Sequence, residues 1–357
     1  MSNGFAEIAA GGRFEHTRVA WVDAVKLFAC FLVVLGHLTM SMVSSGLLNE
    51  SSSWYQFFIQ TIYSFHVPLF FVCSGFLYQF HKHGSTPKSH VRSIKKKALA
   101  LGVPYVVFSS LTLLLKNIFS SEVNNAATPF VRTLLIEPIA PYWYLYTLFL
   151  LFCLIPRQSN ARNIIRLFIV SLLIKCIYVS CHFCWVLPDL VQKVAACSVW
   201  FSFGMLVSID GLRASILNKR AGIIGFLVAI VIAFLNYQEE NPDRVLQFIL
   251  AILFVYAILD LAVHAKGLNT HASLLAHLGI YFMAVYVLHT ICAACIRSIL
   301  LRIGIVSLPI NLFIGLIVSI LVPIAVYRVS LSHWWMLFFF EPLKALKLKR
   351  TNNEHTS

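Results

Sequence analysis

The sequence predicts an all-α, polytopic membrane protein, a bundle of about ten transmembrane helices with both termini cytoplasmic. Three observations predict it. Hydrophobic residues make up 59% of the 357 and charged residues only 12%, and mean hydropathy is +0.81, a composition foreign to soluble domains of this size. The apolar residues form continuous runs of about twenty, the length that crosses a bilayer as a helix, and they lack the period-two alternation of a β-barrel. Lys and Arg gather in alternate loops, as cytoplasmic loops require.

In chain order, residues 1–17 are polar and read as a cytoplasmic tail. They do not form a cleavable signal, because the apolar run after them is long enough to span. Spans are expected at 22–42, 56–80, 98–117, 141–157, 164–184, 194–210, 221–237, 245–264, 278–299 and 307–328. The fourth is short, and Gly204 interrupts the sixth. Residues 18–330 form one transmembrane domain. Residues 331–357, with Trp334 and Trp335, read as an aromatic-anchored interfacial helix followed by a basic cytoplasmic tail. The basic segments precede the first span (Arg13, Arg18) and follow the second (Lys82 to Lys97), fourth (Arg157, Arg162), sixth (Arg213, Lys219, Arg220) and tenth. Segment 43–55 has no Lys or Arg, and 118–140 has only Arg132. The net charge of +14 therefore reports topology. With no nucleic-acid motif beside it, nucleic acid is excluded as a partner and the lipid bilayer is the expected one. The nine cysteines include the pairs Cys181/Cys184 and Cys292/Cys295. No Cys/His set at zinc spacing accompanies them, so no metal is expected and helix packing accounts for them; Cys181/Cys184 can also form a disulfide near a helix end.

The first span carries the chemistry. Asp23, Lys26 and His37 stand in a run that otherwise reads as lipid-embedded, where ionisable residues are costly and generally functional. Lys26 and His37 are eleven residues apart, about three helical turns, so they share a face roughly 16 Å apart along the axis. Asp23 is placed to orient Lys26, which can alternatively snorkel to the inner headgroups. By the same rise per residue, His66 lies level with His37, and His289 comes close to that depth on the ninth span. His66 and His289 suit either supporting roles or ordinary packing. Pro68 and the pair Ser74-Gly75 fit a kink lining a cavity or close helix packing. Lys95, Lys96 and Lys97 are first a topology signal and second a phosphate-binding rim. Trp143 and Tyr144 fit an aromatic belt or a sugar-stacking platform. Asp260 and His264, at i, i+4, read as a structural pair.

Together these motifs resemble the acyltransferase 3 family, the integral-membrane acyl-CoA-dependent O-acyltransferases of surface polysaccharides. The likeness lies in Asp23, in a basic residue followed after ten residues by histidine (Lys26, His37), in Phe65-His-Val-Pro-Leu-Phe-Phe-Val-Cys-Ser-Gly75, in Tyr142-Trp-Tyr-Leu-Tyr146 and in Tyr286-Val-Leu-His289. Where the family carries a second basic pair, Lys97 stands for the first member and Ala100 occupies the second. The resemblance is to the short form, without an appended extracytoplasmic domain.

The resemblance implies a multi-pass protein of the inner (plasma) membrane that transfers an acyl group, usually acetyl, from cytoplasmic acyl-CoA to a hydroxyl of a cell-surface or lipid-linked sugar. Acetyl-CoA would be a co-substrate, with no bound cofactor. In this reading His37, Lys26 and Asp23 are catalytic, and Lys26, Lys95, Lys96 and Lys97 hold the acyl-CoA. His66, Ser74, Trp143, Tyr144 and His289 serve the acceptor. The residues fit, since CoA carries phosphates at one end and a thioester at the other, and a near-neutral histidine suits a general base. Direct acylation of His37 is a variant. The other function classes are a transporter or flippase of a lipid-linked sugar, which does not explain the Lys26/His37 pair, and a membrane scaffold without catalysis.

Overall fold

The computed structural model describes residues 18–81, 87–118, 130–181, 187–237 and 243–356. The tail 1–17, Lys82 and Cys184 lie outside the described residues. Among those described, the chain is all helix and turn, with no strand.

Helix α1 (Ala20–Ser44) and helix α2 (Ser53–Phe80) hold the first two spans. The third differs from expectation. Helix α3 (Pro87–Lys97) joins helix α4 (Val103–Ile118) through a π-turn at Ala98–Gly102, giving one rod from Lys88 to Ile118. The basic run Lys95–Lys97 is thus helical, because nothing between Lys88 and Leu101 breaks a helix, and the π-turn absorbs the change of face. Helix α5 (Phe130–Leu135) leads to helix α6 (Trp143–Leu154), only 12 residues long. Helix α7 (Ala161–Ser180) is capped by Asn160, whose side chain accepts from the Asn163 N–H at 2.9 Å. Helix α8 (Asp189–Val207) runs unbroken through Gly204. Helices α9 (Asp210–Ile216) and α10 (Lys219–Asn236) form a pair bent by 57°. Helix α11 (Arg244–His264) is capped by Asp243. The short helices α12 (Lys266–Thr270) and α13 (Ala272–Gly279) precede α14 (Phe282–Arg302) and α15 (Leu308–Ser330). The expected interfacial helix is two, α16 (Trp334–Phe340) and α17 (Pro342–Thr356), divided at Glu341 because the residue before a proline leaves the helical region. Eight of the described helices are long and apolar enough to cross a membrane, and the bent pair raises this to nine.

Gly204 proved to be a crossing point and not a break. A Cβ at Gly204 would lie 2.0 Å from the Val72 carbonyl oxygen, and one at Gly75 would lie 1.9 Å from that of Phe201. Helices α2 and α8 therefore touch backbone to backbone, the approach that small residues allow between membrane helices. They make the most extensive helix pair of the structure, with α1, α7 and α11 packed around them and α14 against α1. The inner wall is aromatic, with Phe70, Phe71, Phe76 and Phe201 almost fully buried. The outward faces, such as α10 with Ile224, Leu227, Val231 and Leu235, are exposed and apolar, as lipid-facing helices must be.

The pair Asp260/His264 is present, with the histidine Nδ1 3.2 Å from the carboxylate. Cys292 and Cys295 are both free thiols, as is Cys181.

Candidate active site

Both Lys26 and His37 face helix α14. The Lys26 Nζ stands over the Phe282 ring at 5.3 Å from its centroid, and the His37 ring lies 5.3 Å from that of His289. Phe282, Tyr286 and His289 follow at i, i+4 and i+7, so they line one face of α14. Phe282 and Tyr286 stack at 6.0 Å, and Tyr286 meets His289 at 6.3 Å. The face of α1 that carries both residues thus runs along an aromatic column.

The three histidines meet as their heights predict. Tyr63 bridges two of them, its ring 6.4 Å from His37 and 4.6 Å from His66. Gly36 admits that bridge, since a Cβ there would come within 2.9 Å of the Tyr63 ring. His66 Nδ1 is 2.6 Å from the Ile62 carbonyl, and His289 Nδ1 is 2.9 Å from that of Tyr286. A carbonyl only accepts, so in each ring Nδ1 donates and the neutral imidazole keeps Nε2 as an acceptor. The His289 Nε2 is buried without a hydrogen-bond partner. His66 and His289 are almost wholly buried, whereas His37 is half-buried and borders open space.

That space is a cavity of about 570 Å³. His37, His66, Tyr63, Trp143, Tyr144 and Tyr286 line one side of it. Ser74 lies behind this wall, its hydroxyl hydrogen-bonded to Tyr144 at 3.1 Å. The start of α6 is held against α14 by two bonds, Tyr142 to the Val287 carbonyl at 2.9 Å and Tyr286 to the Pro141 carbonyl at 2.5 Å. Lys175, Lys193, Trp200, Arg244, Gln247 and Phe248 line it as well, and none of the lining side chains is acidic.

The basic rim is narrower than the sequence suggests. Lys95 and Lys96 are exposed. Lys97 turns inward over the Phe152 ring at 4.3 Å, within electrostatic range of Lys26 and Arg157. Arg157 donates to the Tyr78 carbonyl at 2.6 Å and lies over the Tyr78 ring at 4.5 Å. Asp23 approaches Arg18 at 4.0 Å, and the Arg18 guanidinium also donates to the Ala276 carbonyl. Asp23 lies within electrostatic range of both Lys26 and Arg18, with Lys26 acting on it more strongly although only Arg18 comes within 4.0 Å. No set of three His, Cys, Asp or Glu among the described residues is placed to hold a metal.

The structure thus gathers His37, His66, His289, Trp143 and Tyr144 at one place, with Ser74 bonded to Tyr144 from behind, and sets Lys26 and Lys97 within electrostatic range of each other at another. It leaves Lys95 and Lys96 outside both. Sequence reasoning missed Tyr63, Arg157 and Lys175. The signal for Lys175 was available, since it is a single cation inside an apolar run, the same argument that singled out Lys26.

Residues 19–328 match the sequence model of a family described as an acyltransferase domain, acyltransferase 3. Two proteins called nodulation protein NolL are similar over part of their length. The one from Mesorhizobium japonicum is 28% identical over 149 residues, 42% of this chain and 38% of its own. The one from Sinorhizobium fredii is 31% identical over 136 residues, 37% of this chain and 34% of its own. The matched segment thus spans less than two fifths of either relative. No solved structure matches the chain.

Proposed function

The chain belongs to the acyltransferase 3 family, and from that premise we propose that it moves an acyl group, acetyl as the first candidate, from acyl-CoA to a hydroxyl of a cell-surface or lipid-linked sugar, with His37 as general base. The observation that carries this reading is the position of His37, which borders the cavity on one side and shares a face of α1 with Lys26 on the other. The donor comes from the end of the molecule that holds Lys26, Lys97 and Arg157, whose charges suit the phosphates of CoA. The protein is a multi-pass membrane protein. In this reading it sits in the inner membrane with ten crossings, the short α6 and the bent α9–α10 pair included, and with both termini cytoplasmic.

The acceptor lies in the cavity with one hydroxyl toward His37. The His37 imidazole takes the hydroxyl proton as the oxygen attacks the thioester carbonyl, and returns it to the departing CoA thiolate. The new C–O bond replaces the C–S bond, so the proton and electrons balance. Tyr63 and His289 hold the His37 ring between them. The aromatic faces of Trp143 and Tyr144 suit a sugar ring. Ser74 fixes the Tyr144 hydroxyl.

The test is acyl transfer by the purified protein from radiolabelled acetyl-CoA to extracted cell-envelope glycans, with mass spectrometry of the product. Transfer that His37→Gln abolishes is the expected result. A protein that moves sugars across vesicles and never cleaves the thioester would be the transporter instead.

A further inference from the structure

The cavity lining also carries cations, and the catalysis described above does not use them. Lys175 projects from α7, its Nζ at 5.1 Å from the Tyr178 ring centroid and 5.3 Å from that of Phe248. Lys193 projects from α8 and stands over the Trp143 ring at 5.2 Å. Both lysines are close enough to the Cys197 thiol, which also lines the cavity, to act on it electrostatically. Arg244, the first residue of α11, borders the same space. Lys193 is paired with Asp189 in the first turn of its own helix. Lys175 has its ammonium on two aromatic faces, and among the described residues it has no ion pair with a carboxylate. Three cations from three helices therefore border one cavity whose lining contains no acid.

A cation in a span is costly, and a ring face offsets that cost only in part. An anion entering this cavity completes the pairing. We infer that the cavity selects an acceptor bearing an oxyanion, either a phosphate ester or a sugar carboxylate, and that Lys175 is the residue that reads it. The inference rests on the reading of this cavity as the acceptor side of His37. The oxyanion lies against Lys175 and Lys193 while the sugar ring lies on Trp143, which fixes which hydroxyl reaches His37. A neutral sugar gains only the stacking contact.

Cys197 gives a readout that needs no catalysis. The purified full-length protein in detergent at low salt is treated in parallel with two methanethiosulfonate reagents, one ending in a sulfonate and one in a trimethylammonium. Labelling of the Cys197 peptide is followed by mass spectrometry. Each rate is divided by that reagent's rate with a small free thiol, so the ratio cancels the intrinsic reactivity of thiol and reagent and the fraction of folded protein. The expected ratio favours the sulfonate by roughly tenfold or more, falls toward one in Lys175→Met, and is retained in Lys175→Arg. Inorganic pyrophosphate and glucuronate, added separately, should slow the labelling, while glucose at the same concentration should not. Protection by pyrophosphate alone assigns the site to a phosphate, and protection by glucuronate alone to a carboxylate. Equal labelling by both reagents, faster labelling by the cation, no labelling of Cys197 at all, or protection by glucose as strong as by the anions overturns the inference. Protection by desulfo-CoA stronger than by either small anion overturns it too, by making the cavity the donor site. Loss of acetyl transfer in the assay of the preceding section, with this labelling pattern intact, strikes the acyltransfer chemistry and leaves the anion site standing.

Discussion

Two groups of cations sit at opposite ends of this molecule, and both lie on aromatic rings. At one end Lys26, Lys97 and Arg157 lie over Phe282, Phe152 and Tyr78. At the other, Lys175 lies over Tyr178 and Phe248, and Lys193 over Trp143. The physical problem is the same, since a charge in a poorly solvated place needs a partner that does not neutralise it. The difference is in what the cations border. The first group lies beside the packed start of α1, where Arg157 is anchored by a backbone carbonyl. The second borders open space. The comparison teaches that a ring holds a cation such as Lys175 ready for a ligand, whereas Lys193 already has the Asp189 carboxylate beside it.

The comparison breaks outright if the two ends do not face opposite sides of the membrane. A single cysteine introduced at exposed position 92 should be labelled only from the cytoplasmic side, and one at exposed position 50 only from the outside. External labelling at 92 would reverse donor and acceptor sides. The next largest effect belongs to the residue between the two groups. His37→Gln, matched for membrane level, should lower acyl transfer about a hundred- to ten-thousand-fold, the usual cost of losing a general base. A parental rate would move the base to His66. Smaller losses are expected at the Lys26 end. Lys26→Ala should raise the KM for acyl-CoA by roughly ten- to a hundredfold, as loss of a charged hydrogen bond does, and Lys26→Arg should recover much of it. Lys97→Ala should act in the same direction and more weakly, while Lys95→Ala and Lys96→Ala should leave the donor KM within about twofold, because both side chains are exposed. If all three lysines behave alike, the inner group is a diffuse field and not a site. On the acceptor side a modest effect is expected from Ser74→Ala, which removes the 3.1 Å bond to Tyr144 and should raise the acceptor KM about two- to tenfold with the donor KM unmoved.

Much of this was legible in the sequence because membrane helices are long, straight and nearly parallel. Counting residues along such a helix gives height, and height alone brought His37, His66 and His289 to one level. Height does not give azimuth. Nothing in a residue count says that Lys97 turns in while Lys95 and Lys96 turn out, or that Asp23 meets Arg18 more closely than Lys26. Those outcomes depend on which neighbour each helix packs against. Gly204 shows the same limit from the other side. Within one sequence it reads as an interruption, and only the partner helix makes it a place of contact. The basic run before Leu101 reads as a loop because it follows the expected end of a span, yet Lys and Arg are good helix formers and the rod continues through it. Lys175 is legible by the same argument as Lys26, since it stands mid-way along an apolar run.

The Gly75–Gly204 crossing has a further consequence. A gap that would bring a methyl carbon to 1.9 Å from a carbonyl oxygen has no room for a water molecule, which needs about one probe sphere of free volume. The crossing lies nine residues beyond His66 on α2 and seven beyond Cys197 on α8, two residues that line the cavity. Between these two helices no chain of waters can form, and no proton or small ion can follow one through. A protein with polar residues inside the bilayer carries the risk of short-circuiting the gradient across its membrane. Here two residues without side chains close the path between α2 and α8 at that level.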